Sequence, residues 1–133
     1  MNAGRLLREA GYDTDALKVS FAPVDPDEIN VWPASPVFRR FWRKGIQGVT
    51  YWKYVFVDAE VMRGDPQRLA RLVIHELVHV RQFMSKGYLP FVFSYAKEYV
   101  KGRLGGLSPY EAYRAISHER EAREMTARTE PIN

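Results

Sequence analysis

The string His75-Glu76-Leu77-Val78-His79 sets two imidazoles and one carboxylate at a spacing that a helix turns into a working group. A helix completes a turn in about 3.6 residues, so side chains four apart stand one above the other on the same face. Two imidazole nitrogens can then reach one metal ion at about 2.0–2.1 Å each. Glu76, three residues before His79, stands near enough to take a proton from water at that metal without being a ligand. This is the arrangement needed for attack on a carbonyl. Chance gives such a string roughly 0.005 times in a chain of this composition. The bland alternative is two histidines that merely share a helix face.

A catalytic zinc needs a third protein ligand and one open position. The chain has no cysteine, which excludes thiolate ligands, disulfides and cysteine nucleophiles together. The candidates are then His118 and the acidic residues, and Ser117-His118-Glu119-Arg120-Glu121-Ala122-Arg123 is the densest cluster outside the first motif. Residues 119 and 121 differ by about 200° around a helix, so both cannot point at one metal. Glu119 has the small Ala122 on its own face, which allows close approach to the metal-bearing helix. Glu121 has Glu124 and Met125 on its face. Glu119 is therefore the favoured third ligand and Glu121 the alternative. Charge runs of this kind are usually solvated faces, and it is the histidine motif that sets this one apart.

These residues need elements to hold them. Asp65-Pro66 is an N-cap followed by proline at the first helical position, and the helix it opens is expected to run to Lys86 and stop at Gly87. Leu69, Leu72, Val73, Leu77, Val80 and Met84 form its apolar stripe. A further helix is expected over residues 90–101, ending before Gly102. Ser108-Pro109-Tyr110-Glu111 is a capping box that opens a last helical stretch, either continuous to about Arg128 or restarting at Ser117. Upstream, residues 4–10 read as a short helix stopped by Gly11, and residues 18–22 and 29–32 as strands. Pro33-Ala34-Ser35-Pro36 reads as a loop, 37–44 as a helix or a strand arm, and Gly45 and Gly48 as a turn. The β-branched and aromatic run 49–57 reads as the main strand. Strands first and helices after give an α+β class, a short sheet packed against a helical half that carries the motif.

Together, His75-Glu76-Leu77-Val78-His79 and His118-Glu119-Arg120-Glu121-Ala122 resemble the gluzincin metallopeptidases, in particular their minimal single-domain forms. The resemblance spans residues 49–126 and implies a zincin-like fold, Zn2+ as cofactor, and hydrolysis of peptide bonds in a peptide or protein substrate. Glu119 takes the family's ligand position and Ala122 its small packing position. Arg123 stands where many relatives carry an aspartate that supports a metal-bound histidine. Gln82 gives the H-E-x-x-H-x-x-Q form seen in some small families of this type. The resemblance also implies that strand 49–57 lies at the cleft edge and pairs with extended substrate. An oxyanion stabiliser is required as well, and the candidates near the third ligand are His118, Tyr110 and Tyr113, with His118 preferred.

At 133 residues, 46% hydrophobic and 27% charged, the chain is expected to form one globular domain over residues 1–133. A net charge of +4 permits an acidic partner without requiring one. Arg39-Arg40-Phe41-Trp42-Arg43-Lys44 mixes basic and aromatic residues but reads as a solvated arm, with no clear case for nucleic acid. The stretch 88–95 is expected to pack in the core, a cleft wall or an interfacial patch being the alternative that leaves peripheral membrane contact open. The N-terminus lacks the apolar region of a signal peptide, and no stretch is long and apolar enough for a membrane span, so a cytoplasmic protein is expected, with signal-independent export left open. Two rivals to the enzyme stand: a non-catalytic zinc-binding interaction module, and a basic accessory protein at a membrane or nucleic acid.

Overall fold

Capping residues and apolar spacing account for most of the helices. In the computed structural model, which describes residues 1–35, 48–51 and 53–132, these comprise seven α-helices and one three-stranded sheet. The first helix, α1 (Ala3–Glu9), is capped by the Asn2 side chain, which accepts from the Arg5 amide. The second, α2 (Thr14–Ser20), corrects the expected strand at 18–22. Asp13 accepts hydrogen bonds from the Asp15 and Ala16 amides, nucleating a helix whose Leu17 and Phe21 are buried on one side. In a strand Val19 and Phe21 would share a face, yet Val19 is 79% exposed and Phe21 1%.

A 3-10 turn (Pro26–Glu28) leads into β1 (Asn30–Ala34), followed by β2 (Gly48–Tyr51) and β3 (Tyr54–Asp58). The sheet order is β1-β3-β2, with β1 parallel and β2 antiparallel to β3. Pro33 and Ala34, expected in a loop, belong to β1. The N–H and C=O of Val31 both bond to Met1 on the outer side, and Pro33, two residues on, turns its nitrogen the same way, where no ladder bond to β3 is lost. The run 49–57 is not one strand but a hairpin, Tyr51 pairing with Tyr54. Its reversal carries none of the Gly or Asn residues that mark a tight turn. The expected turn glycine Gly45 and the segments 37–44 and 39–44 lie outside the described residues.

A short helix, α3 (Ala59–Arg63), capped by Asp58, precedes α4 (Pro66–Lys86), which is capped by Asp65 and ends at Gly87 as expected. Leu69, Ala70, Val73, Ile74, Leu77, Val78 and Val80 of α4 are all buried, several with no exposed surface, in one cluster with Val31, Val55 and Val57 of the sheet. Each full burial of a large apolar side chain stabilises by about 1.5–3 kcal/mol, so packing rather than helix propensity fixes α4 at the centre.

Helix α5 spans Tyr88–Leu104, longer than the expected 90–101 at both ends. Gly102 does not stop it: a Cβ there would lie 3.2 Å from the Ala112 Cβ, so this glycine serves the close crossing of α5 with α6 (Pro109–Ala115). The two are joined by an exposed turn at Leu104, Gly105 and Gly106. The capping box of Ser108 and Glu111 is formed, and after Ile116, in extended conformation, the chain restarts as α7 (Ser117–Arg128). Of the stretch 88–95, expected in the core, only Phe91 is buried, while Leu89 and Phe93 are 74% and 73% exposed. Among the described residues no helix is long and apolar enough to cross a membrane.

Candidate metal centre and adjoining cleft

Helices α4 and α7 pack side by side, with the fully buried Ala122 in the core they share, as its small size suggested. The approach brings Glu119 to the two motif histidines. Glu119 Oε1 lies 3.0 Å from His75 Nε2, and Glu119 Oε2 lies 3.0 Å from His79 Nε2. One ligand atom from each of the three residues falls within 4.8 Å of the others, a group that could hold a metal ion. Glu121 is directed elsewhere and accepts a hydrogen bond from Gln82 Nε2 at 2.9 Å.

The hydrogen bonds around His79 fix its orientation. Gln82 Nε2 also donates to the His118 carbonyl oxygen at 3.0 Å, which can only accept, so the amide cannot be turned around. Gln82 Oε1 must then be the acceptor from His79 Nδ1–H at 2.8 Å. That leaves Nε2 facing the triad, the presentation a metal requires, and Gln82 gives the outer support that Arg123 cannot. Burial lowers the His79 pKa, but the hydrogen bond and charge of Glu119, with smaller contributions from Glu76 and Gln82, outweigh it and raise it to about 9. Burial in turn works against the Glu119 carboxylate, and the two histidines reverse this and hold it well below the usual range. The site therefore calls for a positive charge between Nε2 and the carboxylate, and two imidazole nitrogens with one carboxylate oxygen fit a divalent metal.

Two tyrosines close around the same carboxylate. Tyr95 on α5 donates to Glu119 Oε2 at 2.9 Å and Tyr113 on α6 donates to Oε1 at 3.0 Å. Burial, then the charge of Glu119, raises both phenol pKa values far above the ordinary range, so both remain donors. Tyr113 was a sequence candidate and Tyr95 was not. Its signal was the spacing of Tyr88, Phe91 and Tyr95, one face of α5.

Glu76 is 3% exposed and is held from the sheet. The Thr50 hydroxyl on β2 lies 2.6 Å from Glu76 Oε2, and a Cβ on Gly48 would lie 3.0 Å from Glu76 Oε1, so any larger residue there would press on the Glu76 side chain. On one side of Glu76 opens a cleft of about 390 Å³, walled by β2 and by Phe83, Tyr88, Phe91, Val92 and Tyr95, with His79 and Glu119 at its base. On the other side a groove of about 460 Å³ runs past His75 between α4, α6 and α7.

His118 reaches neither space. It is 8% exposed, packs on Phe91 at 4.6 Å, and lines a separate hollow with Lys86 and Glu121. Its Nδ1 is 3.8 Å from Glu98 and has no hydrogen-bond partner among the described residues. Burial, then the charge of Lys86, lowers its pKa and keeps it neutral. The expected oxyanion role of His118 is corrected accordingly: next to Glu119 along a helix, its side chain points about 100° away. Tyr110 lines the groove rather than the cleft. Comparison of the chain with protein-family models, curated proteins and solved structures gives no match, and the chemistry of the site rests on its own geometry.

Proposed function

We propose that this protein is a zinc-dependent metallopeptidase, with His75, His79 and Glu119 as ligands and Glu76 as general base. The observation that carries this reading is the convergence of the three candidate ligand atoms within 4.8 Å beside a second, non-ligand carboxylate that borders an open cleft. Zinc held there by His75, His79 and Glu119 would supply a Lewis acid for the substrate carbonyl and would lower the pKa of water to about 7. Glu76 takes the proton released as the water attacks and delivers it to the leaving amine nitrogen. The phenol of Tyr113 borders both cleft and groove, and it can serve the carbonyl oxygen only by turning its single O–H away from Glu119 Oε1. Residues of β2 line the cleft, and among the described residues β2 is an edge strand that would offer an extended peptide a partner. The rival of a closed, purely structural zinc site would need a fourth protein ligand. Among the described residues the cluster has three, and His118 faces away.

The test is Glu76→Gln, which keeps shape and hydrogen bonding but removes the base. Zinc content and fold are expected to stay nearly intact while cleavage of a diverse peptide library falls by roughly 10²–10⁴-fold. Cleavage that persists at matched zinc content would rule out Glu76 as the base.

A further inference from the structure

The groove on the His75 side carries a charge pattern that the catalytic reading does not use. Its walls include Arg68 and Arg71 of α4, Arg114 of α6 and Arg123 of α7, and among the described residues the only carboxylate lining it is Glu76. None of these four guanidinium groups has an ion-pair partner among the described residues. Arg123 Nη2 donates to the Arg114 carbonyl at 2.7 Å, which holds its side chain between the two helices, and the Arg114 guanidinium stands 5.9 Å over the Tyr110 ring.

The placement is unfavourable for the fold alone. Arg68 lies in the first turn of α4, where the helix dipole already concentrates positive charge and the capping Asp65 is the one carboxylate beside it among the described residues of that end. Four like charges around one concave wall repel one another, and they focus a field that attracts anions. The field is aligned with the catalytic machinery: Arg71 and Arg68 lie one and two turns before His75, about 6 Å and about 10 Å along the axis. An extended chain advances about 3.3 Å per residue, so a peptide crossing Glu76 meets these charges within about four residues of the bond.

We infer that this groove binds an acidic stretch of the polypeptide substrate, its carboxylates pairing with Arg68, Arg71, Arg114 and Arg123 while the adjoining backbone crosses Glu76. The inference rests on the peptidase reading and adds a substrate class to it. Arginine suits the task because its planar fork matches a carboxylate in a bidentate way. The second cleft complements the groove, since its aromatic wall suits a large apolar side chain on the other side of the bond.

The test uses the zinc-loaded Glu76→Gln protein, which binds without turning over, and fluorescein-labelled peptides read by anisotropy. The peptides share a central Phe-Leu pair and carry a block of Glu, Gln or Lys on either its N-terminal or its C-terminal side. In one of the two orders the Glu peptide is expected to bind about tenfold more tightly than the Gln peptide, with Lys weakest and the difference shrinking as salt rises. Adding Arg68→Gln and Arg71→Gln should abolish the preference at unchanged zinc content, and Arg68→Glu with Arg71→Glu should turn it toward the Lys peptide. Equal binding of all three peptides overturns the inference, as does a preference that survives both double substitutions. A single-stranded DNA oligomer that binds as tightly through the same arginines overturns it too, by showing a general polyanion surface. The two readings fail separately. Charge-selective binding without wild-type cleavage of the Glu peptide counts against the peptidase, whereas cleavage without charge selectivity counts against the groove.

Discussion

The Thr50 hydroxyl lies 2.6 Å from Oε2 of Glu76, so the carboxylate at the centre of the motif is aimed by the sheet and not by its own helix. A general base must sit within hydrogen-bond reach of the proton it takes, and in the proposed mechanism the contact from β2 would orient Glu76 for that role. Thr50→Val keeps the branched shape and removes the hydroxyl. Peptide cleavage is expected to fall by roughly 10-fold at unchanged zinc content, with Thr50→Ser restoring most of it. Steady-state rates at matched zinc loading check this, and an undiminished rate in the valine variant rules out the aiming role.

Metal content comes next. Protein prepared with zinc is expected to carry about one ion per chain by elemental analysis, lost on His75→Ala or His79→Ala. Because the ligands come from two helices, binding free energy appears as stability, and removing the metal with a chelator is expected to lower Tm. An unchanged Tm contradicts a site that joins α4 to α7.

Glu119→Ala is expected to weaken zinc binding far more than Glu121→Ala. The first removes a ligand. The second removes only an acceptor of Gln82 Nε2, which keeps its bond to the His118 carbonyl. Competition with a chromophoric chelator measures both, and equal or reversed effects would reject the assignment.

Gln82→Leu leaves His79 Nδ1–H without its acceptor and frees the ring to turn. Zinc affinity is expected to fall by roughly 10–100-fold while the fold is retained, the range typical of losing an outer partner of a metal histidine. A leucine variant with unchanged affinity would show that the ring is oriented by packing alone.

The sequence revealed the parts of this site that depend on helix geometry. His75 and His79 share a face because they are four apart, and Glu119 was preferred to Glu121 from their angular separation and the small Ala122 beside it. Both preferences match where the side chains stand. What remained hidden depends on tertiary contact. Thr50 reaches Glu76 only because a strand crosses α4 at Gly48, and no local pattern encodes that crossing. Tyr95 looked like one more aromatic in an apolar run, and its partner is 24 residues away. The misread segment 18–22 failed for a local reason: its short apolar alternation also fits a helix, and the Asp13 cap decides between them.

The proposed ligands also lie far apart along the chain, with Glu119 44 residues after His75 and 40 after His79. All of α5 and α6 hangs between them, with the exposed turn at Leu104, Gly105 and Gly106 about two-thirds of the way from His79 to Glu119. A metal ion shared by α4 and α7 would therefore close this span into a ring, as a covalent crosslink does. A protease that nicks the turn would open the ring without releasing either half. The core that α4 and α7 share would hold the two fragments as one particle, and the metal would add to that hold until a chelator removed it.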